Sequence, residues 1–308
     1  MIADILRRSV IGRALLMFSN PDSVELTDIQ TKFTLSWLPR MASDFSSLKF
    51  STLSGVSCPH WVESYTEEDE AEVWVRIPSV NSSGVSLVMS YIESEDFSNP
   101  DDVFYFYDDF TTADKWTSNS QYLYVDTTNH LLRCTTYANY SGKIVIDDTL
   151  NLEDYLMEYD AASDGAYHNT EFLFVALSSS LTPSYASTGT IFGGYFYGGS
   201  SADRDASWQF NYYYSSSLVR VGKFYHGHWT RYNYQHKRVG SKFSYSVTVD
   251  STGASVVSGS NLDCDTTTMQ KLFLAMRDSR GGVVTNIYAP LIIRSPNTNL
   301  TLESVSVI

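Results

Sequence analysis

The sequence predicts an all-β chain of two β-sandwich modules, and three observations carry that expectation. Strand-forming aromatic residues are abundant, with 22 Tyr and 16 Phe in 308 residues, alongside many Val and Thr. Short runs that alternate apolar and polar residues, bounded by Gly, Ser, Asn and Asp, recur along the whole length, while apolar residues at helical spacing are few. The length exceeds that of one ordinary domain, so two modules are expected.

Among the individual elements, Ala71–Ile77 alternates cleanly, with Ala71, Val73, Val75 and Ile77 on one face and Glu72, Trp74 and Arg76 on the other. Pro78 is expected to end that strand, because it cannot donate to a ladder. Val85–Tyr91 follows after the turn-like Asn81-Ser-Ser-Gly84, which predicts a hairpin. Leu48–Phe50 and Trp61–Tyr65 supply further short strands. The acidic, turn-rich stretch from Glu93 to Asp102 reads as a linker, so residues 1–100 form an N-terminal sandwich and 101–308 a second module. From Val103 onward about a dozen strand candidates follow, among them Phe172–Val175, Trp208–Tyr214, Phe243–Val249, Lys271–Ala275 and Leu302–Val307. Some 200 residues of antiparallel strands suit a two-sheet jelly roll.

Composition narrows the function classes. Charged residues make up only 18% of the chain and the formal net charge is -14, which argues against binding nucleic acid or an anionic membrane, since both need basic patches. No stretch is long and apolar enough to insert in a bilayer. The N-terminal segment, Met1 to Phe18, carries Arg7, Arg8 and Arg13, and its apolar residues are too interrupted to read as a secretory leader. Cys58, Cys134 and Cys264 have neither metal-site nor redox-motif spacing, and their odd number leaves at least one free thiol.

Four blocks carry a resemblance: Asp44–Phe50, Pro59–Tyr65, Ala71–Pro78 and Phe104–Phe110. In order and spacing they resemble a domain-of-unknown-function family of archaeal, bacterial and viral surface proteins, over about residues 10 to 110. The departure lies after Met89-Ser-Tyr91, where that family continues with Tyr-Gly and this chain has Tyr91-Ile92. The family has no assigned chemistry, so the resemblance implies architecture and setting only. The second module is similar to a concanavalin A-like lectin or laminin-G jelly roll, with Tyr107–Phe110 and Trp116 as its opening and Leu302–Val307 as its closing strand. That fold hosts sugar binders, glycosidases and inert spacers alike.

The most suggestive residues are aromatic: Tyr195, Tyr197, Trp208, Tyr212, Tyr213, Tyr214, Trp229, Tyr232 and Tyr234. Sugars stack their C–H faces on such rings while their hydroxyls seek polar partners, so Tyr195, Tyr197, Trp208, Tyr212, Tyr214, Trp229 and Tyr232 are the candidate ligand platform. Core packing and a subunit interface are the competing uses of the same rings. Asp108, Asp109 and Glu303 would converge if the first and last strands of the jelly roll pair, and such hard oxygens suit Ca2+. Asp203, Asp205, Asp263 and Asp265 offer the same chemistry in loops. His226, His228 and His236 are a weaker zinc candidate. Asn81, Asn139 and Asn299 match the glycosylation triplet, a pattern that arises by chance in a chain so rich in Ser and Thr.

No catalytic motif is present. Glu158-Tyr-Asp160 supplies only half of the Glu-x-Asp-x-x-Glu pattern expected of a retaining glycosidase on this fold, and no nucleophile elbow or phosphate-binding loop occurs. The expectation is therefore a non-catalytic surface protein: a virion component such as a tail fibre, spike, turret or capsid decoration. Its N-terminal module would hold other virion or surface proteins, its second module would contact cell-surface glycans, and it would form a homo-oligomer. A cellular adhesin or surface-layer protein and a glycan-cleaving enzyme are the alternatives.

Overall fold

The computed structural model is all-β, with one short helix among the described residues. It describes the chain apart from residues 1–9, 23, 93–97, 136–140, 164–169, 184–190, 198–206, 215–216, 226–228, 279–283 and 298–299. Seven strands come first: β1 (Val10–Ser19), β2 (Leu26–Ser36), β3 (Leu48–Thr52), β4 (Ser57–Cys58), β5 (His60–Thr66), β6 (Glu70–Val80) and β7 (Val85–Ile92). After the helix α1 (Pro100–Val103) come β8 (Phe106–Asp108), β9 (Trp116–Ser118), β10 (Leu123–Asp126), β11 (Leu131–Thr135), β12 (Ser141–Ile146), β13 (Tyr155–Ser163) and β14 (Thr170–Ser178). The remaining strands are β15 (Ile191–Tyr197), β16 (Ser207–Tyr214), β17 (Ser217–Tyr225), β18 (Tyr232–Val239), β19 (Lys242–Val249), β20 (Ser255–Asp263), β21 (Lys271–Asp278), β22 (Val284–Arg294) and β23 (Thr301–Val307).

These strands form two compact units, residues 1–105 with 297–308 and residues 106–296. The division differs from the expected one at residue 100, because the closing strand belongs to the first unit. β23 pairs antiparallel with β1, from Ala14 opposite Val307 to Ser19 opposite Thr301. It is thus not the last strand of the jelly roll, as the resemblance implied. The second unit is an insertion in the sequence of the first.

The first unit is a sandwich of a five-stranded sheet, β23-β1-β7-β3-β4, and a three-stranded sheet, β2-β6-β5. Alternation in β6 does what the sequence predicts: Ala71, Val73, Val75 and Ile77 are fully buried in the core. Phe18 on β1 meets Phe33 on β2 edge-to-face with centroids 5.1 Å apart, and Phe33 meets Phe50 on β3 at 6.1 Å, so three rings join the two sheets. The opposite face of β6 is covered as well. Trp74 is 6% exposed beneath Phe104, and Phe104 also packs on Trp61. The end of the supposed linker, just before Phe104, is held to the same sheet: Ser98 and Asn99 hydrogen-bond to β5, and Asn99 caps α1.

Two local expectations are corrected here. Pro78 does not end β6, which continues to Val80 in register with Leu26. The β6 and β7 strands are not a hairpin either, since β6 pairs with β2 and β5 while β7 pairs with β1 and β3. Each strand has its own apolar face to bury, and the Asn81–Gly84 corner carries the chain from one sheet to the other. Gly84 makes the corner possible: it has φ +120°, and a Cβ there would lie 1.9 Å from the Phe18 carbonyl oxygen. Gly84→Ala should therefore destabilise this unit by about 2 kcal/mol or more, from backbone strain and the clash together. Denaturant unfolding would measure the loss, and a midpoint equal to that of the parent would show that the corner relaxes freely.

The second unit places an eight-stranded antiparallel sheet, β10-β11-β22-β13-β18-β19-β20 with β8 also on β22, opposite a seven-stranded one, β17-β16-β15-β14-β21-β12-β9. Along β13 the buried side chains are Tyr155, Met157, Tyr159 and Ala161, and along β18 they are Tyr232, Tyr234, His236 and Arg238. Tyr159 and Tyr234 stack with centroids 5.0 Å apart. Phe224 of the seven-stranded sheet packs on Tyr232 at 5.5 Å and on Tyr234 at 6.4 Å, tying the sheets together. No helix among the described residues is long and apolar enough to cross a membrane.

Candidate functional site

Because side chains alternate along a strand, the inward tyrosines of β13 and β18 force the residues between them outward. On β13 these are Glu158 and Asp160, and on β18 Asn233 and Gln235. Register sets Glu158 opposite Gln235 and Asp160 opposite Asn233, with Tyr288 of β22 on the other side of Asp160. Directly opposite residues share a face, so these side chains form one polar row across the outer surface of the eight-stranded sheet.

The row is hydrogen-bonded throughout. Gln235 donates to Glu158 Oε1 at 3.0 Å, and Arg294 donates to Glu158 Oε2 at 2.7 Å. Asn233 donates to Asp160 Oδ1 at 3.0 Å, while Arg231 donates to Asp160 Oδ2 through Nη2 at 2.6 Å and Nε at 3.1 Å. Asp250 lies 3.6 Å from Arg231 Nε, and the Arg231 guanidinium sits 4.5 Å from the Tyr288 ring centroid. Ser246 extends the row by donating to Gln235 Oε1 at 3.3 Å. A fixed array of amides, carboxylates and guanidinium groups offers donors and acceptors at set positions, the chemistry that orients a hydroxyl-rich molecule.

Trp229 precedes Arg231 of this row by two residues, and its backbone N–H donates to the Ser163 carbonyl at the end of β13. The residue is 43% exposed and is held at φ +50°. A bulky side chain in the left-handed region is uncommon, and such strained positions gather at binding sites. Of the predicted platform, Trp229 is the residue the described structure places in solvent.

The other predicted residues distribute differently. Tyr232 is 6% exposed and packs on Phe224, so it is a core residue rather than a ligand contact. Tyr234 is buried as well. Tyr195 and Tyr197 lie on β15, and Trp208, Tyr212, Tyr213 and Tyr214 on β16, with Tyr195 opposite Gln209, Phe196 opposite Trp208 and Phe192 opposite Tyr212. The side chains of these two strands lie outside the described residues, as do Asp203, Asp205, His226, His228, Asn139 and Asn299. His236 is buried against Tyr159 and Phe243.

The convergence expected of Asp108, Asp109 and Glu303 is not made, because the pairing it needed is absent. β8 pairs with β22, whereas Glu303 on β23 accepts a hydrogen bond from Ser19 of β1. Asp108 is 4% exposed and accepts from Trp116 Nε1 at 2.5 Å and from the Phe110 N–H at 2.7 Å, which makes it a buried brace for the β8–β9 turn. Burial raises its carboxyl from the ordinary value, against the opposing pull of those two bonds. Asp109 accepts from the N–H and hydroxyl of Thr111, and Asp263 is paired with Lys242. Among the described residues no cluster of three or more His, Cys, Asp or Glu could hold a metal ion. Cys58, Cys134 and Cys264 are buried free thiols pushed up by burial to about 11, 12 and 11 respectively, so none is a thiolate near neutral pH.

In sequence Glu158 and Asp160 stand out only as half of a glycosidase pattern, and Arg231, Asn233, Tyr288 and Arg294 were not legible as a site. The pairs of polar residues at i, i+2 on β13 and again on β18 mark a shared face and no ligand.

The four sequence blocks quoted above fall within one family match. Residues 44–119 match a domain of unknown function, DUF2341. The matched stretch runs from just before β3 through α1 to just past β9, and so includes the end of the first unit's leading part and the start of the second unit. No curated protein matches the chain. Among solved structures, the CBM2 module of the evolved Dit of Lactobacillus casei BL23 phage J-1 is similar at 9% identity and TM-score 0.45, over 63% of this chain and 96% of that one. Basic winged bean lectin with Tn-antigen is similar at 8% identity and TM-score 0.46, over 65% and 98%. The GH43 protein BlXynB of Bacillus licheniformis is similar at 10% identity and TM-score 0.46, over 78% of this chain and 46% of that one.

Proposed function

We propose that the chain is a non-catalytic glycan-binding surface protein whose contact surface is the outer face of the eight-stranded sheet around Trp229. The observation that carries this reading is the solvent-exposed indole held at positive φ two residues before Arg231 of a fully hydrogen-bonded polar row. An indole supplies the apolar face on which a sugar ring stacks, and the amides and Ser246 supply partners for its hydroxyls. The lectin and carbohydrate-binding module among the similar structures are in keeping with this role. Glu158 and Asp160 are each bonded to an arginine and an amide, which opposes their use as the acid and nucleophile of a glycosidase.

For the setting, we propose the outside of a virion, with a cellular adhesin or surface-layer protein as the alternative. The first unit would dock on neighbouring structural proteins and the second would meet host glycans, in a symmetric oligomer.

A glycan array with the purified chain tests the reading. Trp229→Ala removes an exposed ring and should leave the unfolding transition in place while weakening glycan binding at least about tenfold. Binding that is equal in parent and variant would sink this assignment of the surface.

A further inference from the structure

We infer that the glycan recognised by this face is neutral and is held directly, without a bridging divalent cation; this rests on the reading of the face given above. An acidic sugar is recognised by a guanidinium or ammonium free to meet its carboxylate. Here the arginines are already matched. Arg231 donates twice to Asp160 and has Asp250 at 3.6 Å, so two acids surround one cation. Arg294 is 8% exposed and donates to Glu158 at 2.7 Å. An arriving carboxylate would meet the paired acids as well as the guanidinium, at a cost no new ion pair offsets. Lys237 lies two positions beyond Gln235, between Leu156 and Ser244, at the end of β18 away from Trp229.

The carboxylates are likewise occupied atom by atom. Asp160 Oδ1 takes Asn233 and Oδ2 takes Arg231, while Glu158 Oε1 takes Gln235 and Oε2 takes Arg294. Calcium asks for six to eight oxygen ligands, and recruiting these would strand two guanidinium groups, one of them buried. The amide groups of Asn233 and Gln235 have bonding capacity beyond these contacts, and with the 43%-exposed Trp229 they suit uncharged hydroxyls.

Titration of the full chain with two panels separates the possibilities: neutral mannan, galactan and dextran fragments, and acidic polygalacturonate and sialylated oligosaccharides, each with calcium and with EDTA. The expected result is binding within the neutral panel, with affinities in EDTA and calcium agreeing to about twofold and little dependence on salt. Binding confined to acidic glycans, or a loss of about tenfold in EDTA, overturns the inference while leaving the glycan-binding reading intact. A blank across both panels removes that reading and the inference with it.

Discussion

Arg238→Met is expected to lower the stability of the second unit by about 4 kcal/mol, the summed effect of orphaned buried carbonyls less the relief of a buried charge. Arg238 is 1% exposed. Its guanidinium donates to the backbone carbonyls of Glu153, Thr267 and Leu152, at 2.5, 2.6 and 3.1 Å, and lies 5.4 Å from the Tyr155 ring centroid. One side chain thereby pins the segment entering β13 and the loop before β21. Lys271 does the same elsewhere, with Nζ donating to the carbonyls of Ile146, Asp147 and Asp148 at 3.2, 2.6 and 2.8 Å. Methionine fills the arginine's volume and supplies no donor, so the carbonyls lose their partners without a large cavity opening. Arg238→Lys keeps the charge but not the fork, and should fall between parent and Met variant. Urea unfolding monitored by tyrosine and tryptophan fluorescence checks the order, and a Met variant within about 1 kcal/mol of parent would mean that water replaces the guanidinium without loss.

The second large effect is a loss of stability in acid that belongs to His236. The ring is completely buried, with its Nε2 3.3 Å from the Tyr159 hydroxyl, its edge toward Phe243, and Met157 and Tyr245 opposite it on the neighbouring strands. Burial pushes its pKa down to about 3. In the unfolded chain the same imidazole titrates near 6.5. Between those two values the unfolded state takes up a proton that the folded state refuses, so stability falls as pH falls, by up to about 1.4 kcal/mol per pH unit. The contribution is fully present above about pH 6.5 and is lost progressively toward pH 3. His236→Gln keeps a hydrogen-bonding group and cannot titrate. From pH 7 to pH 4 the parent should therefore lose about 3 kcal/mol more than the Gln variant. Denaturant curves of both proteins at the two pH values measure the difference, and parallel losses would place the acid sensitivity in the carboxylates instead. Because the candidate binding face is the outer side of the same sheet, glycan binding should fail with the fold in acid.

Both effects arise where local pattern and tertiary position part company. β18 alternates in and out along Tyr232–Val239, but hydropathy would turn Val239 inward and Arg238 outward. The structure does the reverse, leaving Val239 46% exposed, because at this end of the strand backbone carbonyls await a donor. Likewise Tyr232 and Tyr234 look like sugar platforms in sequence, since an amphipathic ring fits a core and a binding face equally well. Only the packing of Phe224 on them decides for the core. Trp229 could be named as a candidate from residue type alone, whereas its exposure and the bonding of Arg231, two residues on, to Asp160 could not.

What the sequence determined by itself is the period-two grammar of the chain. It specified an all-β fold, the buried face of β6 and the four blocks of the family match, because side-chain alternation and strand propensity are local properties. What the tertiary structure decided is which strand pairs with which and which face looks inward. β23 joins β1, so that Ser19 and Glu303 are bonded across 284 residues, and β6 and β7 part into different sheets at Gly84. Asp160, Arg231 and Tyr288 likewise meet only on the assembled sheet. Strand pairing satisfies backbone groups that are the same in every residue, so partners are selected by complementary packing of whole faces, and that information is distributed over the chain rather than written in any one segment.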